Sequence, residues 1–402
     1  MVVFKELRPL EDYREDVWGC VRCNWCKEVF GWYQRSARFA YLCPSWHKFG
    51  FDAYSAQGRM DIARALIEGE MDWRDSEKLL EIIYSCTSCG ACEMNCLRLQ
   101  EHQPSRVVEA LKVRAVELGL GPMPRQREWA AHIEKEHNPY FERHDDRIKW
   151  LPSDVKLTPT ADTAYFVGCT SSYRRTEIAI ATVRLLNALG IDFKLLHPDE
   201  WCCGSPLFRI GMRRQAMKLM EHNVDTLRRL GVKKLIVSCA GCYRAFKGDY
   251  PELLGDLPFE VLHVTEVAAE VIKEGKVKLG EVNKVVTYHD PCHMARHFGV
   301  YEPPREILRN IPGLKFIEME RVKSQSWCCG AGGGVKSAFP DLALWAASER
   351  LEEVMAVGAH TLVSACPFCA TNFKDAIKAK GLDLEFMDIT ELLIESITKG
   401  GG

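Results

Sequence analysis

Apolar and polar positions follow two different rhythms along this 402-residue chain. In the first quarter the rhythm is helical. Within GRMDIARALIEG, residues 58–69, Met60, Ala63, Leu66 and Ile67 fall at the spacing that lines one helix face. Ser105 is a candidate cap for a helix carrying Val107, Val108, Leu111, Ala115 and Val116, with Gly119 closing it. Pro122, Pro124 and the charged stretch 134–149 then read as a boundary. From residue 161 the rhythm changes to short apolar runs at 164–167, 235–237, 285–288 and 362–363. Helical stretches such as 177–189 and 216–230 separate them. Alternation of this kind predicts parallel sheets flanked by helices. The expected organisation is a mainly helical domain over 1–125, a linker over 126–160, and two α/β domains over 161–275 and 276–402.

Composition narrows the function classes. Fifty-three basic residues against 55 acidic ones leave a formal charge of −2, unlike the strongly basic domains that grip nucleic acid. No apolar run approaches the ~18 residues that cross a bilayer, and Met1 to Leu10 lacks the apolar stretch of a secretory leader. These features point to the cytoplasm, or to a peripheral place on the inner face of the membrane. The outlier is cysteine, at 18 residues. Disulfide frameworks belong to short secreted chains, which leaves zinc or iron–sulfur, and spacing must choose.

Cys86, Cys89, Cys92 and Cys96 stand in CTSCGACEMNC, a C-x2-C-x2-C-x3-C run. Three thiolates so spaced wrap one cubane, and in two-cluster ferredoxins the fourth reaches across to the other cluster. Zinc prefers two separated pairs. Upstream, Cys20, Cys23 and Cys26 repeat the spacing, but the fourth member, Cys43, follows only after 16 residues, with Pro44 next. Leu97 stands where proline usually follows the last cysteine. In the ferredoxin pattern, Cys20, Cys23, Cys26 and Cys96 hold one [4Fe–4S] cluster, and Cys86, Cys89, Cys92 and Cys43 the other. The alternative is that each run ligates its own. The intervening segment is aromatic, with Phe30, Trp32, Tyr33, Phe39, Tyr41, Trp46, Phe49, Phe51 and Tyr54. Such rings either wall clusters from water or offer a docking surface to a redox partner.

The second half describes itself twice. Cys169, Cys202-Cys203, Cys239 and Cys242 are separated by 32, 35 and 2 residues; Cys292, Cys328-Cys329, Cys366 and Cys369 by 35, 36 and 2. Trp201 and Trp327 each precede a Cys-Cys-Gly, and LIVSCAGC matches TLVSACPFC. The four apolar runs end at or just before Cys169, Cys239, Cys292 and Cys366, and ligand sites in parallel sheets lie beyond the carboxyl ends of strands. All five cysteines of a copy can therefore meet at one sheet edge. Asp290 is a candidate N-cap with Pro291 at the first helical position, which puts Cys292 where the helix dipole favours a thiolate. Five thiolates exceed the corners of a cubane by one. They allow a cubane with a free thiol, an opened cluster with a bridging cysteine, or zinc with a spare, and adjacent cysteines serve neighbouring irons only if Cys-Cys-Gly is a loop.

This C-x(31–39)-C-C-x(35–36)-C-x2-C pattern resembles the cysteine-rich CCG domain, and both copies fit its limits. The order of two ferredoxin-type runs and two CCG modules resembles the D-type catalytic iron–sulfur subunit of heterodisulfide reductase. That resemblance covers nearly the whole chain, including the segment from Asn138-Pro139-Tyr140 to Trp150-Leu151-Pro152. The chain is similar also to the iron–sulfur subunits of glycolate, lactate and glycerol-3-phosphate oxidases and of class II benzoyl-CoA reductase. The resemblance implies that each five-cysteine set holds a non-cubane [4Fe–4S] cluster, making four clusters in all, and that the two non-cubane clusters cleave a disulfide between them. It implies a hetero-oligomer with a flavoprotein, an electron-transfer flavoprotein or a membrane cytochrome subunit. The stretched first run departs from the usual pattern and leaves the substrate open. An electron-relay subunit is the other redox reading, and a zinc-loaded scaffold the non-redox one.

His289, His293 and His297 recur every four residues, a spacing that places imidazoles on one helix face as metal ligands. Beside a cysteine cluster, a supporting or proton-donating role suits them better, and His293, next to Cys292, joins the ten cysteines as a candidate catalytic residue. Gly330, Gly332, Gly333 and Gly334 do not complete a nucleotide-binding loop; they suit close backbone approach to a cluster or substrate. Trp201 and Trp327 are expected to shield the clusters.

Overall fold

The computed structural model describes residues 8–98 and 103–401, so most of the leader reading for Met1–Leu10 lies outside the described residues. Before residue 137 the chain is helical. Ser55 caps the helix Ala56–Glu68 by accepting from the Gly58 N–H at 3.1 Å, and Gly69 ends it at φ 71°. That helix buries Met60 and Ala63 against Val107, Ala110 and Leu111 of the helix Pro104–Glu117. Gln103, not Ser105, is the cap residue here; proline takes the first helical position, and Ser105 instead donates to Glu93 across the domain.

The two repeats each form a four-stranded, all-parallel sheet. In the first, β1 (Thr163–Phe166), β2 (Lys194–Leu195), β3 (Lys234–Val237) and β4 (Glu260–His263) lie in the order 2-1-3-4. In the second, β5 (Val285–His289), β6 (Lys315–Phe316), β7 (Thr361–Ser364) and β8 (Glu385–Asp388) lie in the order 6-5-7-8. The central strands are buried on both faces, as sheets covered by crossover helices require. The repetition extends to detail: His263 at the end of β4 and Asp388 at the end of β8 each cap the next helix, with Glu266 and Glu391 completing the box three residues on.

The repeats interlock by exchanging helix contacts. The last helix of the first, Val264–Lys273, packs on Glu302–Asn310 of the second, while the last helix of the second, Ile389–Lys399, packs on Thr176–Ala188 of the first. The carboxyl ends of both sheets thereby face one another. No helix among the described residues is long and apolar enough to cross a membrane.

Two local expectations fail. Asp290 caps no helix: its carboxylate forms a buried two-pronged pair with Arg305 at 2.7 and 2.9 Å, and Cys292 sits in a turn before the short helix Ala295–Phe298. The three histidines do not share a helix face, because His289 is the last residue of β5, His293 lies in that turn and His297 in the helix.

Candidate functional site

Each sheet delivers its cysteines where its strands end. Cys169 follows β1 after Gly168, whose φ of 75° turns the chain into a helical turn, and Cys239 and Cys366 are the cap residues of the helices after β3 and β7. Both Cys-Cys pairs lie in loops closed by glycines in the left-handed region, Gly204 at 77° and Gly330 at 88°. The loop that adjacent thiols need in order to face one centre is therefore present twice.

The ten thiols form one continuous series. Cys169 meets Cys202, Cys202 meets Cys203, Cys203 meets Cys242, and Cys242 meets Cys239. Across the repeats Cys239 meets Cys366. The second set continues through Cys369 and Cys329, whose sulfurs lie 3.4 Å apart, to Cys328 and Cys292. None of the 18 cysteines forms a disulfide. Nine of the ten line a cavity of about 470 Å³ between the sheets; Cys328 instead turns to Cys89 of the N-terminal domain. Buried soft donors converging without pairing suit a metal–sulfide core far better than isolated thiols. Burial pushes the Cys169 thiol well above its ordinary range, a cost that metal ligation removes.

The N-terminal cysteines are less buried. Cys26, Cys43, Cys86 and Cys92 are part-exposed and Cys89 is buried. Cys43 lies within electrostatic reach of both Cys89 and Cys26, and Cys92 of Cys86 and Cys89. The aromatic segment divides: Phe39 is buried against Arg321, whereas Trp32, Phe51 and Tyr33 are 78%, 66% and 57% exposed. The glycine loop makes a close approach, to the first domain's backbone. A Cβ on Gly333 would stand 2.2 Å from the Cys86 carbonyl oxygen, and one on Gly332 2.7 Å from that of Thr87. Lys112 ties the same junction, donating from one ammonium to the carbonyls of Cys86, Arg209 and Gly333 at 3.0–3.1 Å.

Trp327 is fully buried beside Cys328 and donates to the Ala346 carbonyl. Trp201 is held between His137 and His222, stacked at 3.6 and 3.5 Å. His293 lines the cavity, and burial and Arg244 push its pKa down to about 3; Arg244 donates to its Nε2 at 3.3 Å, so the ring is neutral. His289 lies within ligand distance of Cys329 and Cys369. Residues that spacing alone did not reveal complete the site. Arg147 reaches Cys169, and Glu109 of the N-terminal domain neutralises Arg209 and Arg244 beneath the cavity. Among the described residues, the charged groups lining the cavity are Arg125, Arg174, Arg209 and Lys336, and each is paired with an acid outside the lining: Glu128, Glu142, Glu109 with Asp249, and Asp375.

Comparison with known proteins agrees with this geometry. A 4Fe-4S dicluster domain model matches residues 16–98, and a cysteine-rich domain model matches 163–247 and 286–374. The D-type subunit of the dihydromethanophenazine:CoB–CoM heterodisulfide reductase of Methanosarcina mazei is 40% identical over 94% of this chain and 93% of its own length. The chain belongs to this heterodisulfide reductase family. Other relatives of the heterodisulfide reductase-like chain include the B-type subunit of the fumarate reductase (CoM/CoB) of Methanothermobacter marburgensis, 33% identical over 97% of the chain and 74% of that protein. EtfAB:quinone oxidoreductase of Syntrophomonas wolfei is 33% identical over 78% of the chain but 46% of that protein. Among solved structures, a Helicobacter pylori protein shares the fold at a TM-score of 0.57 and 10% identity, covering 85% of this chain and 68% of that one. The chain is thus an iron–sulfur oxidoreductase subunit of the heterodisulfide reductase D type.

Proposed function

We propose that this protein interconverts a disulfide and two thiols in the cavity between its repeats, using four [4Fe–4S] clusters. Two are cubanes, one on Cys20, Cys23, Cys26 and Cys96 and the other on Cys86, Cys89, Cys92 and Cys43. Two are non-cubane, one on Cys169, Cys202, Cys203, Cys239 and Cys242, the other on Cys292, Cys328, Cys329, Cys366 and Cys369. When bound, such clusters supply one-electron steps at separate sites, two of which together match a two-electron disulfide. The observation that carries this reading is the unbroken thiol series from Cys169 to Cys292, joined to Cys89 through Cys328. The protein's part is to hold the two five-cysteine sets side by side along one cavity, meeting at Cys239 and Cys366, and to keep bulk water from them. His293, neutral and facing the cavity, positions the substrate sulfur rather than donating as an imidazolium.

Electrons enter or leave at the part-exposed Cys20–Cys26 end, through a flavoprotein, an electron-transfer flavoprotein or a membrane cytochrome subunit, with the chain in the cytoplasm or peripheral on the inner face of the membrane. A pure relay to a quinone is the second reading, favoured by the relation to an electron-transfer flavoprotein:quinone oxidoreductase. Iron and acid-labile sulfide analysis of anaerobically purified protein tests the cofactor content, with about 16 iron atoms per chain expected from four such clusters. Adding thiol under oxidising conditions then tests the chemistry. A changed paramagnetic signal supports disulfide–thiol conversion; an unchanged one leaves the relay.

A further inference from the structure

The two five-cysteine sets are near-copies in spacing, yet their surroundings differ in charge. Arg147 belongs to the stretch between the two matched family regions, not to either repeat. It is 1% exposed. One guanidinium nitrogen donates to Glu200 Oε1 at 2.8 Å; the other lies 3.2 Å from the His137 carbonyl oxygen and 3.4 Å from the Cys169 sulfur. Glu200 offsets part of this charge, but it holds the other guanidinium nitrogen and not the one at the sulfur, and its carboxylate is fixed there by the backbone N–H groups of Val167 and Gly168 at 3.0 and 2.9 Å. In the second repeat, Ser326 stands before Trp327 where Glu200 stands before Trp201. The thiols there meet one another, Cys89, Cys239 and the His289 imidazole among the described residues.

Resting on the cluster reading above, we propose that Arg147 is a positioning residue that makes the first set the electron sink of the pair. A guanidinium stays protonated under all ordinary conditions. A charged N–H donor at a ligand sulfur stabilises the added negative charge of a reduced cluster and so raises its potential. A second, independent observation points the same way: Cys89 meets Cys328, so the N-terminal domain touches the second set. The first set lies farther along the thiol series, beyond the Cys239–Cys366 contact. An electron arriving at the second set then moves downhill to the first; the second site is oxidised, the first reduced, and Arg147 makes and breaks no bond.

Potentiometric titration of the cluster-loaded full chain, followed by low-temperature paramagnetic resonance, tests this. The first set's signal is identified by its alteration in Cys169→Ser. In Arg147→Gln the reduced-to-oxidised ratio of that cluster at fixed potential should fall about tenfold, equivalent to 59 mV for one electron. The other clusters should not move, and Arg147→Lys should recover most of the shift. A change under about twofold, or an equal shift of every cluster, overturns the proposal. Should Arg147→Gln lose the cluster, Glu200→Gln decides. It leaves the guanidinium uncompensated, so the ratio should rise, and an unmoved or lowered ratio overturns the proposal. Iron and sulfide short of the full complement in the wild-type chain would instead refute the cluster reading itself.

Discussion

Replacing Glu109 with Gln perturbs the point where all three parts of the molecule meet. Glu109 sits on the N-terminal helix Pro104–Glu117, 1% exposed, and accepts from Arg209 at 2.9 Å and Arg244 at 2.8 Å, both from the first repeat. Arg244 also reaches the Ser88 carbonyl of the N-terminal domain and His293 of the second repeat. Burial alone would raise the Glu109 carboxyl, but Arg209, Arg244 and Arg106 outweigh it and hold it well below the usual carboxylate range. The Gln variant keeps the shape and removes the charge. Arg209 retains Asp249, whereas Arg244 is left with neutral acceptors. Breaking a buried pair from one side costs about 3–5 kcal/mol, because a buried charge loses its partner. At roughly 2–4 °C per kcal/mol for domains of this size, the thermal midpoint should drop by about 10 °C. Differential scanning calorimetry of the loaded protein measures it. The double variant Glu109→Gln/Arg244→Met should recover part of the loss, since the stranded charge goes with it. A drop under about 2 °C for Glu109→Gln, on that same scale, would refute the view that this carboxylate is what neutralises the junction.

Two further outcomes are expected. Burial raises the Asp388 carboxyl to about 8; its Oδ1 accepts from the Thr390 N–H and hydroxyl, while Oδ2 finds no partner among the described residues. The folded state therefore keeps a proton that the unfolded state releases near pH 4, so this contribution is complete at low pH and is lost as pH rises through 8. Between pH 6 and 8 the wild type should lose about 2.3 kcal/mol relative to Asp388→Asn; parallel thermal midpoints of the two proteins across pH 6–9 would contradict this. Gly333→Ala adds a Cβ 2.2 Å from the Cys86 carbonyl oxygen at a φ of +67°. It should spoil the seam beside Cys86 and lower the iron content of the N-terminal domain, with full iron retention counting against that seam as a rigid contact.

The sequence disclosed those elements whose chemistry is repeated or periodic. The interior strands were legible because apolar runs such as 164–167 and 362–363 end at cysteines, and the matched spacing of two five-cysteine sets announced two sheets with one purpose. The short edge strands Lys194–Leu195 and Lys315–Phe316 were not, since two residues at a sheet margin leave no period to read. Arg147 and Glu109 were hidden for a different reason. Arg147 lies in a charged stretch that looks solvated, and only the tertiary fold turns that one side chain inward while Asp145 and Lys149 stay outside; Glu109 lies on an amphipathic helix where a polar position reads as solvent-facing, but the first repeat covers that face too. Asp290 looked like a helix cap because Asp-Pro is a cap signature, but a buried arginine from a later helix claimed its carboxylate.

The exchanged helices make the two repeats interdependent. Each repeat has the outline of a self-contained α/β module, but its terminal helix packs most extensively on the other, through Val264–Lys273 on Glu302–Asn310 and Ile389–Lys399 on Thr176–Ala188. The pair behaves as a dimer whose halves have been fused into one chain. In a single chain the two halves need not match, and Arg147 meets the first set alone. A symmetric pair of separate chains would place every residue at both sites alike.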